Sequence, residues 1–208
     1  MPKIVDPERR RADVVDALFR VVRRAGLEGA SLRNVADEAG LAIGSVRHYF
    51  DSHDALLAFA LDAMVERVSD RLLARVAVVL PEIEEGRLAG DAARDATVDM
   101  LAELLPLDED RRDEAVVWLA FLAAARTRPA LRERSAAATA ATAALVRRVL
   151  AGADRRGALR AGLDLDLEEQ RLSALVDGLT LRSVLHPELL PADTARQALR
   201  AHLDSLRA

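Results

Sequence analysis

No spacing of reactive side chains in this chain suits bond-making chemistry. The four histidines, His48, His53, His186 and His202, have no ligand spacing among them. No H-E-x-x-H, G-x-S-x-G, Walker loop or dinucleotide fingerprint occurs. The adjacent acids Glu168 and Glu169 fall at a helix start, where interaction with the helix dipole explains them. The absence of cysteine excludes disulfides and thiolate metal sites. The reading is of a protein that is not an enzyme and has no metal and no cofactor. What does stand out is residues 30–50, ASLRNVADEAGLAIGSVRHYF, a stretch rich in groups that donate hydrogen bonds.

The spacing of that stretch is that of two short helices joined by a tight turn. Ser31 can cap a helix whose inward positions are Leu32, Val35, Ala36 and Ala39. Gly40 then ends it, because glycine takes the left-handed conformation cheaply. Ala42, Ile43 and Gly44 supply the turn, and residues 45–49 form the second helix, with Val46 facing back onto the first. Two helices crossing steeply across so short a turn bring their backbones close, which a small residue such as Ala36 permits. This is a helix-turn-helix, followed at Phe50 by the start of a long connecting helix.

Over residues 10–57 the sequence closely resembles the TetR family of one-component transcriptional regulators. The matched positions are Ser31, Leu32, Val35, Ala36, Ala39, Gly40 and Leu41, then Gly44, Ser45, Val46, Tyr49 and Phe50, then Ser52, Leu56 and Leu57. Two positions depart from the family: Arg47 stands where tyrosine is usual and His53 where lysine is usual, both positions that in relatives touch the DNA backbone. Arg47 can make that contact with a charge, or can read a guanine edge bidentately. His53 is a weaker and pH-dependent phosphate partner. The resemblance implies that Ser45, Arg47, His48 and Tyr49 face the major groove or its phosphates, while Ser31 and Arg33 approach the backbone from the supporting helix. For Tyr49 the plainer alternative is a packing residue with its hydroxyl at the surface.

Composition agrees with an all-α fold. Half of the 208 residues are hydrophobic, yet aromatic and β-branched residues are sparse beside Ala, Leu, Arg and Glu, and no alternating strand run appears. The net charge of −4 is unevenly spread. Residues 1–50 hold nine Lys/Arg against seven Asp/Glu, so the basic end is the end with the motif. No signal peptide or long apolar run is present, which points to a cytoplasmic protein with no membrane partner.

About nine helices are expected, as a three-helix DNA-binding head over residues 1–51 and a larger ligand-binding and dimerisation bundle over 52–208. After a loose arm at 1–5, Asp6 caps helix 1, and Pro7 opens it. Its first turns carry Arg9, Arg10 and Arg11, which suit either a phosphate partner or a solvated face. Helix 4 runs to about Leu80, where Pro81 stops it, and helix 5 runs from Asp91 to Leu105. Helix 6, with VVWLAFLAAA apolar nearly all round, reads as a buried central helix. Helix 7 ends near Gly152, and a loop spans 152–166.

The resemblance further implies a small-molecule effector pocket among helices 4 to 8. Met100, Leu104, Trp118, Phe121, Leu122 and Leu175 are its candidate apolar walls, with Thr97 and Arg126 as polar anchors, although Trp118 and Phe121 serve equally as core. The last two helices, about 167–185 and 191–206, are expected to pair with their copies in a homodimer, the alternative being that they close the monomer's own core. The function implied is a repressor that binds double-stranded operator DNA, palindromic by the dimer's symmetry, and that a small-molecule effector releases. The competing reading is a helical interaction protein whose degenerate head no longer binds DNA; Arg47 and His53 are its only support.

Overall fold

The computed structural model describes residues 7–208; the expected arm and the Asp6 cap lie outside them. Among the described residues there are nine α-helices and one 3-10 turn, and no strand. They are α1 (Pro7–Ala25), α2 (Leu32–Glu38), α3 (Ile43–Tyr49), α4 (His53–Glu84), α5 (Gly90–Leu101), α6 (Glu109–Ala125), α7 (Pro129–Arg155), α8 (Leu165–Leu185) and α9 (Ala192–Ser205). Local signals account for most of the boundaries. Ser52 accepts from Ala55 N at the start of α4 (3.0 Å), Asp108 from Arg111 N at α6 (2.8 Å), and Asp164 from Asp166 N and Leu167 N at α8 (3.0 and 3.2 Å).

Several boundaries differ from the sequence expectation. Helix α4 does not stop at Pro81 but passes through it to Glu84, and Glu85 N donates to Pro81 O at 2.9 Å. A proline removes one hydrogen bond, and buried Val79, Leu80 and Ile83 hold the turn on either side in place. Helix α3 begins at Ile43, so Ile43 and Gly44 are helical rather than part of the turn. The last turn expected of helix 5 is a 3-10 turn over Ala102–Leu104. Gly152 lies inside α7, and α8 starts two residues early because Asp164 caps it. In α6 only Val117, Phe121 and Ala125 of the apolar run are buried; Trp118, Leu119 and Leu122 are half-buried, and Ala123 is exposed.

The chain divides into two compact units, and the division falls within α4, α6 and α7 rather than at residue 51. The first unit consists of α1 to α3, α4 up to Glu66, and Val116–Ala136. Its core joins Leu18 of α1, Val35 of α2, Val46 of α3, and Leu56, Leu57 and Leu61 of α4 with Phe121 of α6 and Leu131 of α7. The second unit consists of Arg67–Ala115 and Ala137–Ala208. Its core gathers Val76, Val98, Met100, Leu101, Leu150, Leu172 and Leu199. Within it, Arg71 pairs with Glu114 at 2.8 Å and Glu103 at 3.3 Å, and Arg200 of α9 pairs with Asp95 of α5 at 2.7 Å.

Candidate nucleic-acid interface

The head's outward surface is determined by what its inward residues hold in place. The buried stripe of α1, Val14, Val15, Leu18, Phe19 and Val22, forms a platform for the two shorter helices. Helix α2 is tied to α1 by Glu38, which accepts from Arg20 Nε at 2.7 Å and Arg24 Nη1 at 3.0 Å. The hydrogen bond from Arg20, then that from Arg24, keeps the Glu38 carboxyl below its usual pKa. At the other end of α2, Ser31 Oγ accepts from Asn34 N (3.2 Å) while Asn34 Nδ2 donates to Gly29 O (2.8 Å). These bonds satisfy one of the open amides of the helix start and leave the Ser31 hydroxyl hydrogen available to a further acceptor.

The turn between α2 and α3 is made by Gly40 at φ +65°, a conformation that costs a side-chain-bearing residue strain, with Leu41 N donating back to Ala36 O at 2.9 Å. Helix α3 is then anchored from below by fully buried Val46 and by Phe50, whose ring lies 5.4 Å from that of Phe59. At 100° per residue, Gly44 and His48 fall opposite Val46, with Ser45 and Arg47 on the flanks. All four are exposed. Tyr49 is half-buried against the head's core, and its ring meets the edge of His48 at 5.3 Å. The helix thus shows a narrow polar face with one cation, a width a major groove admits.

The structure brings most of the seven expected DNA-facing residues onto this surface. Ser31, Arg33, Ser45, Arg47 and His48 are exposed, and Tyr49 is half-exposed beside them. His53 differs, because its half-buried imidazole has Nε2 at 2.7 Å from Ala30 O, tying the first residue of α4 to the residue before Ser31. Of the α1 arginines, Arg10 lies 3.7 Å from Asp13, and Arg11 sits 5.7 Å above the Phe59 ring, while Arg9 is exposed. The sequence reading missed Gly44 as part of the reading helix. A Cβ added there meets nothing within 4 Å, so the glycine leaves bare backbone on the outward face.

It also missed the contribution of α6 and α7 to the head. Val117, Phe121, Ala125 and Leu131 close the head's core, and two ion pairs, Arg128 with Asp54 at 2.7 Å and Arg134 with Asp62 at 2.9 Å, reinforce the attachment to α4. Partners more than seventy positions apart leave no local pattern to find. The eight candidate effector residues divide accordingly. Trp118, Phe121, Leu122 and Arg126 belong to the first unit, where Phe121 is fully buried, and Thr97, Met100, Leu104 and Leu175 belong to the second, where Met100 is fully buried. The Thr97 hydroxyl donates to Ala93 O of its own helix at 2.8 Å.

Comparison with known proteins agrees with the geometry. Residues 14–59 match the model of the tetR family of bacterial regulatory proteins, a span that begins in the α1 stripe and ends in the first turns of α4. Residues 93–208 match the model of the C-terminal region of BetI-type transcriptional repressors. The HTH-type transcriptional regulator PksA of Bacillus subtilis is 36% identical over 207 residues, spanning 99% of this chain and 94% of that protein. The regulator BetI 2 of Chromohalobacter salexigens is 29% identical, over 99% of this chain and 92% of its own. Among solved structures, a transcriptional regulator from Rhodococcus sp. Rha1 superposes with a TM-score of 0.77 at 34% identity, covering 97% of this chain and 96% of its own. A regulator from Saccharomonospora viridis, solved in complex with choline, shares the fold at a TM-score of 0.83 and 24% identity, covering 95% of this chain and 96% of its own.

Proposed function

The chain belongs to the TetR family of DNA-binding transcriptional regulators, and from that premise we propose that it is a homodimeric repressor, bound to a palindromic operator and released by a small-molecule effector. The observation that carries the DNA reading is the outward face of α3, where Ser45, Arg47 and His48 stand exposed opposite buried Val46. Arg47 is the strongest of the three, since a guanidinium can make two parallel hydrogen bonds to a guanine edge or grip a phosphate. Ser31 and Arg33 reach the backbone beside it. His53 serves this surface through the Ala30 carbonyl rather than through a phosphate.

Selection of sites from a random duplex pool tests the reading. The wild-type chain should enrich an inverted repeat with half-sites about 34 Å apart or a multiple of it. The Arg47→Ala variant should lose about 1–3 kcal/mol of discrimination at one position in each half-site. A uniform loss across all sequences would instead assign Arg47 to a phosphate, and no enrichment by the wild-type chain would overturn the operator reading.

For the dimer, the support is an apolar stripe left uncovered on α8. Leu167, Leu181 and Leu185 are exposed, and Ala174 and Gly178 between them are small enough for close approach. Such a stripe along one helix face marks an interaction surface. Sedimentation of the Leu181→Asp, Leu185→Asp double variant should show at least about 2 kcal/mol weaker self-association. A dimer as tight as wild type would remove α8 from the interface. Release by an effector requires that it bind the DNA-incompetent arrangement better, typically by about 1–3 kcal/mol of coupling. Within the second unit the candidate contacts are Thr97, Leu104 and Leu175, which are half-buried and have surface to offer.

A further inference from the structure

The link that delivers the chain from α1 to the start of α2 ends in a residue with no exposed surface, Ala30, so its peptide groups must find partners inside the protein. Ala30 N donates to Leu27 O at 3.1 Å, but among the described residues no backbone amide donates to Ala30 O. The partner of that carbonyl is His53 Nε2, at 2.7 Å. A carbonyl only accepts, so the bond requires the hydrogen to sit on Nε2. In that tautomer a neutral imidazole has no hydrogen left for a phosphate, because Nδ1 then only accepts. The other ties at this point, Asn34 Nδ2 to Gly29 O at 2.8 Å and Asn34 N to Ser31 Oγ at 3.2 Å, run within the segment. The His53 bond is different in kind, since it joins the segment to the first residue of α4.

We propose that His53 is a positioning residue for operator binding: by holding Ala30 O, it sets where the start of α2 presents Ser31 and Arg33 to the DNA backbone. This role rests on the operator reading. Ser31 is the next residue and Arg33 lies in the first turn of α2, both exposed, so a displacement of Ala30 passes to both. Helix α3 is held by other contacts, buried Val46 and the Phe50 ring against Phe59. Loss of the His53 tie should therefore weaken contacts that carry no sequence information and leave the base preference of α3 as it is.

A double-mutant cycle in the full chain, on the duplex that the wild type enriches, tests this. His53→Leu should weaken binding about tenfold on every sequence without changing which sequences are preferred. His53→Gln, whose neutral side-chain amide can donate to Ala30 O, should bind within about threefold of wild type. In a chain that already has Arg33→Ala, adding His53→Leu should cost about threefold or less, because the two changes remove one and the same contact. Hydrogen exchange at Asn34 N, measured without DNA, should speed up in His53→Leu and not in His53→Gln. Circular dichroism establishes that the variants are folded, and His53→Gln alone decides the matter if His53→Leu is not. Additive losses, or a glutamine variant as weak as the leucine one, would make His53 a direct phosphate contact and overturn the positioning role. Wild-type affinity in folded His53→Leu overturns it too, as does a changed sequence preference or unchanged exchange at Asn34 N. A wild-type chain that binds no duplex overturns the operator reading and this role with it.

Discussion

Truncation of Phe121 to alanine is expected to destabilise the chain by about 3–5 kcal/mol, the cost of removing a fully buried aromatic ring from a packed core. The loss is a large share of the margin by which a domain this size is folded. Although Phe121 lies in α6, the cavity it leaves opens in the core it shares with the DNA-binding head, the one that also holds Leu18, Leu57 and Leu61. Urea denaturation followed by the fluorescence of Trp118, the chain's single tryptophan and a half-buried neighbour of the same core, reads the effect where it occurs. Operator affinity should fall with stability, because the platform beneath α3 loosens. Had Phe121 lined an effector cavity instead, the variant would lose effector binding at a stability cost below about 1 kcal/mol, the range of substitutions outside a packed core.

The second large effect is on operator binding as salt rises. Arg33 and Arg47 are exposed on each head, so a dimer presents at least four cations to phosphate or base edges. Each neutralised phosphate releases counterions, and four of them give a slope of log K against log salt of about −3.6. A fourfold rise in salt should therefore weaken binding about a hundredfold. Arg33→Ala, which removes two cations per dimer, should flatten the slope by about 2 if both meet phosphates. A slope near zero would be the signature of a chain whose helices dock on a protein. The overall charge of −4 does not oppose this, since the surplus acid lies outside residues 1–50.

Much of the reading head was legible in the sequence because its determinants are local. Ser31 as cap, Gly40 at φ +65° and Val46 turned inward follow from helical periodicity and from groups a few residues apart, and the outward placing of Arg47 and His48 follows from the family resemblance. The helix-turn-helix and the all-α class were determined in that way, whereas the apolar faces of α8 and α9 were legible but not their destination: Leu172, Val176, Ala195 and Leu199 are buried within the chain itself.

What tertiary structure alone decided involves partners far apart in the chain. His53 reads as a phosphate contact from the sequence, and only the fold gives its Nε2 a partner within the chain, Ala30 O at 2.7 Å, across 23 positions. Pro81 resembles a helix stop until Val79, Leu80 and Ile83 are seen buried around it. A run such as VVWLAFLAAA, apolar nearly all round, has no moment to say which face is covered, so Phe121 could have been ligand wall or core. The choice fell to a core built largely from residues sixty or more positions before it, Leu18, Leu57 and Leu61 among them, because apolar burial has no direction of its own and goes to whatever surface the fold brings within van der Waals reach.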